Sequence, residues 1–104
     1  MDIQSRIDEF EELEEGWNGY NNCPPIPEPV VNRSRRFADA LEDRRSEAEV
    51  FPTGRETIQF EFEDMEIEIF ETFVEILHES TFGDEPNVFS LTLEEAIEKY
   101  ATGA

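Results

Sequence analysis

Apolar residues near the start of the chain recur at spacings of three and four. Ile3, Ile7, Phe10, Leu13 and Trp17 fall on one stripe of a helix running through the first 17 residues, and Asp8, Glu11, Glu12 and Glu15 project from its other side. Gly16 suits the helix end, and Asn18-Gly19, Asn21-Asn22 and Pro24-Pro25-Ile26-Pro27 read as turn and extended chain. A second helix is expected from about Glu28-Pro29, because proline suits a first helical turn. Its period buries Val30, Val31, Ser34, Phe37, Ala38 and Leu41 and leaves Arg33, Arg35, Arg36, Arg44 and Arg45 mostly outside.

From residue 49 the period changes to two. Val50 and Phe51 precede a Pro52-Thr53-Gly54-Arg55 turn, after which Ile58, Phe60 and Phe62 alternate with Gln59, Glu61 and Glu63. Beyond Asp64 a second alternation sets Ile67 and Ile69 against Glu66 and Glu68. Residues 70–78 fit either period; the β-favouring run Phe73 to Leu77 selects a strand, with Glu71-Thr72 as a tight connection. Gly83 to Asn87 reads as a loop, and Thr92 with Glu95 forms a capping box for a last helix burying Leu93, Ala96, Ile97 and Tyr100. The order α-α-β-β-β-β-α is segregated. It predicts one α+β domain over residues 1–104, an antiparallel sheet of about four strands covered on one face by helices.

Charge narrows the partners. Twenty-seven Asp and Glu face eight Lys and Arg, a net charge of −19 in 104 residues, so nucleic acid and anionic membranes repel the chain and basic surfaces attract it. Residues 1–32 carry −7, residues 33–55 carry +1 and residues 56–104 carry −13. Both acidic blocks contain periodic apolar residues, and nine Phe supply a core, unlike the composition of a disordered acidic tail. Along a strand, Glu61 and Glu63, and likewise Glu66 and Glu68, stand about 6.6–6.8 Å apart on one face, near the spacing of successive phosphates. Adjacent like charges across strands cost stability. The expected binding face is therefore Glu61, Glu63, Glu66, Glu68 and Glu75, with the first-helix face Asp8, Glu11, Glu12 and Glu15 as a second surface; a merely solvated outer face is the plain alternative.

Gly16-Trp17-Asn18-Gly19-Tyr20 followed by Pro24-Pro25-Ile26-Pro27 is the stretch with motif character. Trp17 and Tyr20 would serve as an aromatic anchor for a partner, or Trp17 as a staple between connector and core, the reading we adopt. Here the chain resembles short uncharacterised bacterial and mobile-element proteins with a Trp-(Asp/Asn)-Gly-Tyr turn, a proline-rich step, a helix, a Pro-Thr turn and a Glu-Ile-Glu-Ile strand. Trp17 to Tyr20, Pro24 to Pro27, Phe51 to Thr53, Ile58 to Glu63 and Glu66 to Ile69 carry the resemblance. It implies a shared fold and supports the strand reading, and it brings no activity to carry over.

Enzyme chemistry finds little footing. His78 is the single histidine, Cys23 the single cysteine in a proline-rich turn, and neither has an activating partner in sequence. Calcium-loop, Walker and dinucleotide glycine patterns are absent, so no enzyme activity and no cofactor or metal are expected; a cleft with two close carboxylates would argue otherwise. Arg33, Arg36, Arg44 and Arg45 are expected to pair with neighbours such as Asp39, Glu42 and Asp43. The start Met1-Asp2-Ile3 lacks a signal-peptide pattern and no apolar run approaches a membrane span, so the cytoplasm is expected, that of the host cell if the chain is phage-encoded. The expected function is an acidic inhibitor occupying the basic nucleic-acid channel of an enzyme or effector complex, similar in kind to anti-defence proteins of phage and mobile elements, such as anti-CRISPR or anti-restriction proteins. An antitoxin against a basic toxin, or a halophile-type acidic domain without a partner, are the alternatives.

Overall fold

The two periods divide the chain into a helical layer and a sheet. The computed structural model describes residues 3–17, 19, 24–63, 65–78 and 87–101. Helices α1 (Ile3–Glu11) and α2 (Glu28–Leu41) and a 3-10 turn (Glu42–Glu47) precede β1 (Glu49–Pro52), β2 (Ile58–Glu61), β3 (Met65–Ile69), β4 (Val74–His78) and β5 (Asn87–Leu91); α3 (Leu93–Ala96) then runs into a π-helical turn (Ile97–Ala101). The strands form one antiparallel meander in the order β1-β2-β3-β4-β5. This is an α+β fold with helices packed on one side of the sheet.

Burial fixes the register. Val50, Ile58, Phe60, Ile67, Ile69, Val74 and Ile76 all point to the helical side and are at most 1% exposed, since a one-residue slip would bring the glutamates into the core instead. Against them α2 lays Val30, Val31, Ser34, Phe37, Ala38 and Leu41, the six positions its periodicity predicts. Phe37 meets Phe60 edge to face at a centroid distance of 5.0 Å. Helix α1 adds Ile3, Ile7 and Phe10, and all these residues except the buried Ser34 join a single apolar cluster.

Four expectations need correction. The sheet has five strands: Asn87 begins β5, which was missed because its outward residue Val88 is apolar, so the strand lacks the polar alternation that marks the others. Helix α1 stops at Glu11, where the Glu12 and Leu13 N–H groups donate three residues back to Glu9 and Phe10; four glutamates at residues 11–15 oppose the helix dipole at a C-terminus lacking any base. Gly16, at φ 79°, serves a separate turn whose Trp17 N–H donates to the Glu14 carbonyl. The π-helical turn changes the phase of the last helix, so Ala101 is buried and Ile97 and Tyr100 only flank the core. Finally, β2 ends at Glu61, and Glu63 lies in the turn beyond it.

Trp17 is half-buried and its indole N–H donates to the Pro24 carbonyl at 3.0 Å, within the connector between α1 and α2. Tyr20 and Cys23 lie outside the described residues, as do residues 79–86. The Thr92 and Glu95 capping box forms in full, with Glu95 N–H donating to Thr92 Oγ1 at 3.1 Å and Thr92 N–H to Glu95 Oε1 at 3.0 Å.

Two outcomes follow for stability. Phe60→Ala should cost about 3–5 kcal/mol in urea unfolding, the range for large core aromatics; a loss under half of that would mean the α2 and sheet interface is not the centre of the core. The Thr92 backbone N–H, which holds the Glu95 carboxylate, lowers its pKa, so its contribution is complete above the ordinary glutamate pKa of about 4.3 and disappears as pH falls through the lowered value. NMR titration of the Glu95 carboxyl should give a midpoint below that ordinary value, and a midpoint at or above it would refute the cap.

Candidate functional site: the outer face of the sheet

The same alternation that buries isoleucine and phenylalanine turns glutamate outward. Across the sheet, one outward row reads Glu49, Glu61, Glu66, Leu77 and Val88, each directly opposite the next. The adjoining row reads Phe51, Gln59, Glu68, Glu75 and Ser90. Neighbouring strands are about 4.8 Å apart, so Glu49, Glu61 and Glu66 stand in close succession. Glu49 was missed by sequence reasoning; the signal is its place two residues before Phe51, on the outward parity of β1.

The predicted residues divide into two groups. Glu61 and Glu66 face outward together, with no ion pair to either among the described residues. Glu68 shares the face but is bound within the protein: Arg55 grips it with Nε at 3.1 Å and Nη2 at 3.0 Å, and the Thr57 hydroxyl also donates to it. Its side chain is only 12% exposed. The turn before β2 builds this clasp, because Glu56 adopts φ 64° between Arg55 and Thr57, and Thr53 and Thr57 share a hydrogen bond. Hydrogen bonding to Glu68 raises the Arg55 pKa, with a smaller contribution from Glu75. Glu75 stands opposite Glu68 on β4. Glu63 lies past the strand end, where it lines a shallow open depression with Glu47, Glu49, Glu61 and Phe62.

The first-helix acids are also divided. Arg35 of α2 donates to Glu11 and, at 2.8 Å, to Asp8, and these bonds raise its own pKa. Glu12 and Glu15 are exposed, and both lie beyond the helix end at Glu11. The arginines of α2 thus reach across to other elements rather than to the sequence neighbours expected for them. Arg36 pairs with Glu94 at 3.3 Å and Arg33 Nε donates to the Phe70 carbonyl at 3.0 Å, whereas Asp39 accepts from Gln4. The side chains of Arg44 and Arg45 lie outside the described residues.

Among the described residues there is no cluster of three or more His, Cys, Asp or Glu arranged to hold a metal ion, and no helix long and apolar enough to cross a membrane. No family model matches the chain, and no curated protein or solved structure is significantly similar to it. The surface itself therefore carries the functional argument.

The two kinds of outward carboxylate should separate by mutation. Glu68→Ala should destabilise the protein by about 1–2 kcal/mol, the value of hydrogen bonds to a charged group discounted for the exposure of Arg55. Glu61→Gln with Glu66→Gln should leave stability unchanged or raise it by about 0.2–1 kcal/mol through relief of like-charge contact. Urea denaturation of both variants at low salt decides the matter, and equal losses would show that the row and the clasp are not distinct.

Proposed function

We propose that this chain is a non-enzymatic binding protein whose outer sheet face occupies the basic, nucleic-acid-binding surface of a target protein. The observation that carries this reading is the row Glu49, Glu61 and Glu66, three carboxylates opposite one another on adjacent strands without an internal cation among the described residues. A row of like charges opposes folding, and burial of the reverse face accounts only for the polarity of these positions, since glutamine or threonine would be as well solvated. Against a target, the carboxylates take the place of phosphates toward lysine and arginine, and the surrounding negative field speeds encounter. Inhibition by exclusion of DNA or RNA follows from shared use of one cationic groove, the chemistry of an anti-defence protein. An antitoxin would use the same face against a different basic protein.

Affinity capture from the native host at low salt, followed by displacement, tests the reading. The captured protein should be released by duplex DNA or by RNA and by added salt. Glu49→Gln, Glu61→Gln and Glu66→Gln combined should slow association by about tenfold or more, as for lost electrostatic steering. A partner held equally by parent and triple variant at low and physiological salt would remove the sheet face from consideration. Unfolding of the parent without molar salt would favour the halophile alternative.

A further inference from the structure

The two edges of the meander are treated differently. Hydrogen bonds from Thr53 N–H to Thr57, Phe62 N–H to Met65 and Phe70 N–H to Phe73, at 3.0, 2.8 and 3.0 Å, identify which opposed pairs are bonded at each turn. Because bonded and non-bonded pairs alternate along an antiparallel ladder, the direction of every backbone group in the sheet follows. On β1, Val50 and Pro52 are the residues whose backbone faces away from β2. Each offers only one group to an added strand: Arg6 Nε donates to the Val50 carbonyl at 3.3 Å, which leaves the Val50 N–H, and Pro52 has no N–H, which leaves its carbonyl. On β5, Asn87, Phe89 and Leu91 bond to β4, so the N–H and carbonyl groups of Val88 and Ser90 face the open edge, and no described residue pairs with them.

Nothing in β5 guards that edge. Native edge strands are protected by charge, proline or bulges, yet Asn87 to Leu91 contains no charged residue and no proline in a chain that is 34% charged. Val88 is 55% exposed, the most exposed large apolar side chain of the described residues. The adjoining strand is acidic at this point: Glu75 stands opposite Ser90 on β4.

We infer that β5 is the site at which an extended, cationic segment of the partner protein adds as a sixth strand, its backbone pairing with Val88 and Ser90 and its outward lysines or arginines turned toward Glu75. The inference rests on the acidic-face reading above and states how the partner is held. Strand addition supplies backbone bonds that no side-chain charge supplies, and an added strand lies about 4.8 Å from Val88 and Ser90 and about 10 Å from Glu75, within joint reach of two long side chains. Charge complementarity selects this occupant over a second copy, which would bring a further −19 to the same edge.

The test uses the 15N-labelled full chain and a short capped peptide alternating lysine and valine. The Val88 and Ser90 amides should shift and gain exchange protection on titration, with Val50 unaffected. Ser90→Pro, which removes one open-edge N–H, should weaken binding by about tenfold, as for loss of one backbone bond, and Val88→Lys, which does not depend on the proline being tolerated, should weaken it comparably by repelling the cationic strand. Shifts confined to the amides of Glu49, Glu61 and Glu66 would overturn the strand-addition site while leaving the acidic face in place. Absence of binding even at low salt would overturn both. Concentration-dependent shifts of Val88 and Ser90 without peptide, strengthened by salt, would overturn the cationic occupant in favour of a second copy of this chain.

Discussion

One constraint organises the molecule: each strand of the meander has a dry side and a wet side, and a two-residue period separates them. Ile58, Phe60, Ile67, Ile69, Val74 and Ile76 are sealed under the helices, which fixes where every outward residue stands. Glu49, Glu61 and Glu66 stand opposite one another in the register that packs isoleucine under the helices, and a slip by one residue would put glutamate there instead. The acidic row is a consequence of folding as much as of composition.

The arginines then hold the layers to one another. Arg6 joins α1 to β1, Arg33 joins α2 to the turn between β3 and β4, Arg35 joins α2 to α1, Arg36 joins α2 to α3, and Arg55 closes the turn before β2 onto β3. A guanidinium suits this role because its fork of donors grips a carboxylate at two points or reaches a backbone carbonyl, which a lysine ammonium does with less geometric definition. Each exposed pair is worth little alone. Together they remove Asp8, Glu11, Glu68 and Glu94 from the acids open to a partner, so the formal charge overstates what the surface presents.

Much of this was legible in the sequence, for reasons that also explain the misses. Helix α2 and strands β2 and β3 are legible because their buried faces contrast sharply with glutamate, arginine and glutamine on the other side, whereas β4 fits either period because Leu77 faces outward beside Glu75. Strand β5 was missed because Val88 faces outward, and α1 was drawn too long because Leu13 and Trp17 continue the apolar spacing after the backbone has left the helix. Side-chain partnerships were the least legible. Arg35 lies 24 residues from Glu11, and Arg36 lies 58 from Glu94; only the folded arrangement brings such groups together.

The outer face is not uniform, and its gradient matters more than its total charge. From β1 to β5 one row passes from three glutamates to Leu77 and Val88, while the next passes from the clasped Glu68 through Glu75 to Ser90. The outward carboxylates without an ion pair lie toward the edge where Arg6 and Pro52 each take one backbone group out of play, and among the described residues the backbone of Val88 and Ser90 is unpaired at the edge whose side chains are uncharged. Electrostatic attraction acts over about 8–10 Å in physiological salt, whereas backbone pairing needs contact. A cationic partner would therefore meet the field of the first region before the hydrogen bonds of the second. Separating the two leaves β5 without local guarding charges, so opposition to edge-to-edge pairing of two copies falls to the net charge of −19 on each.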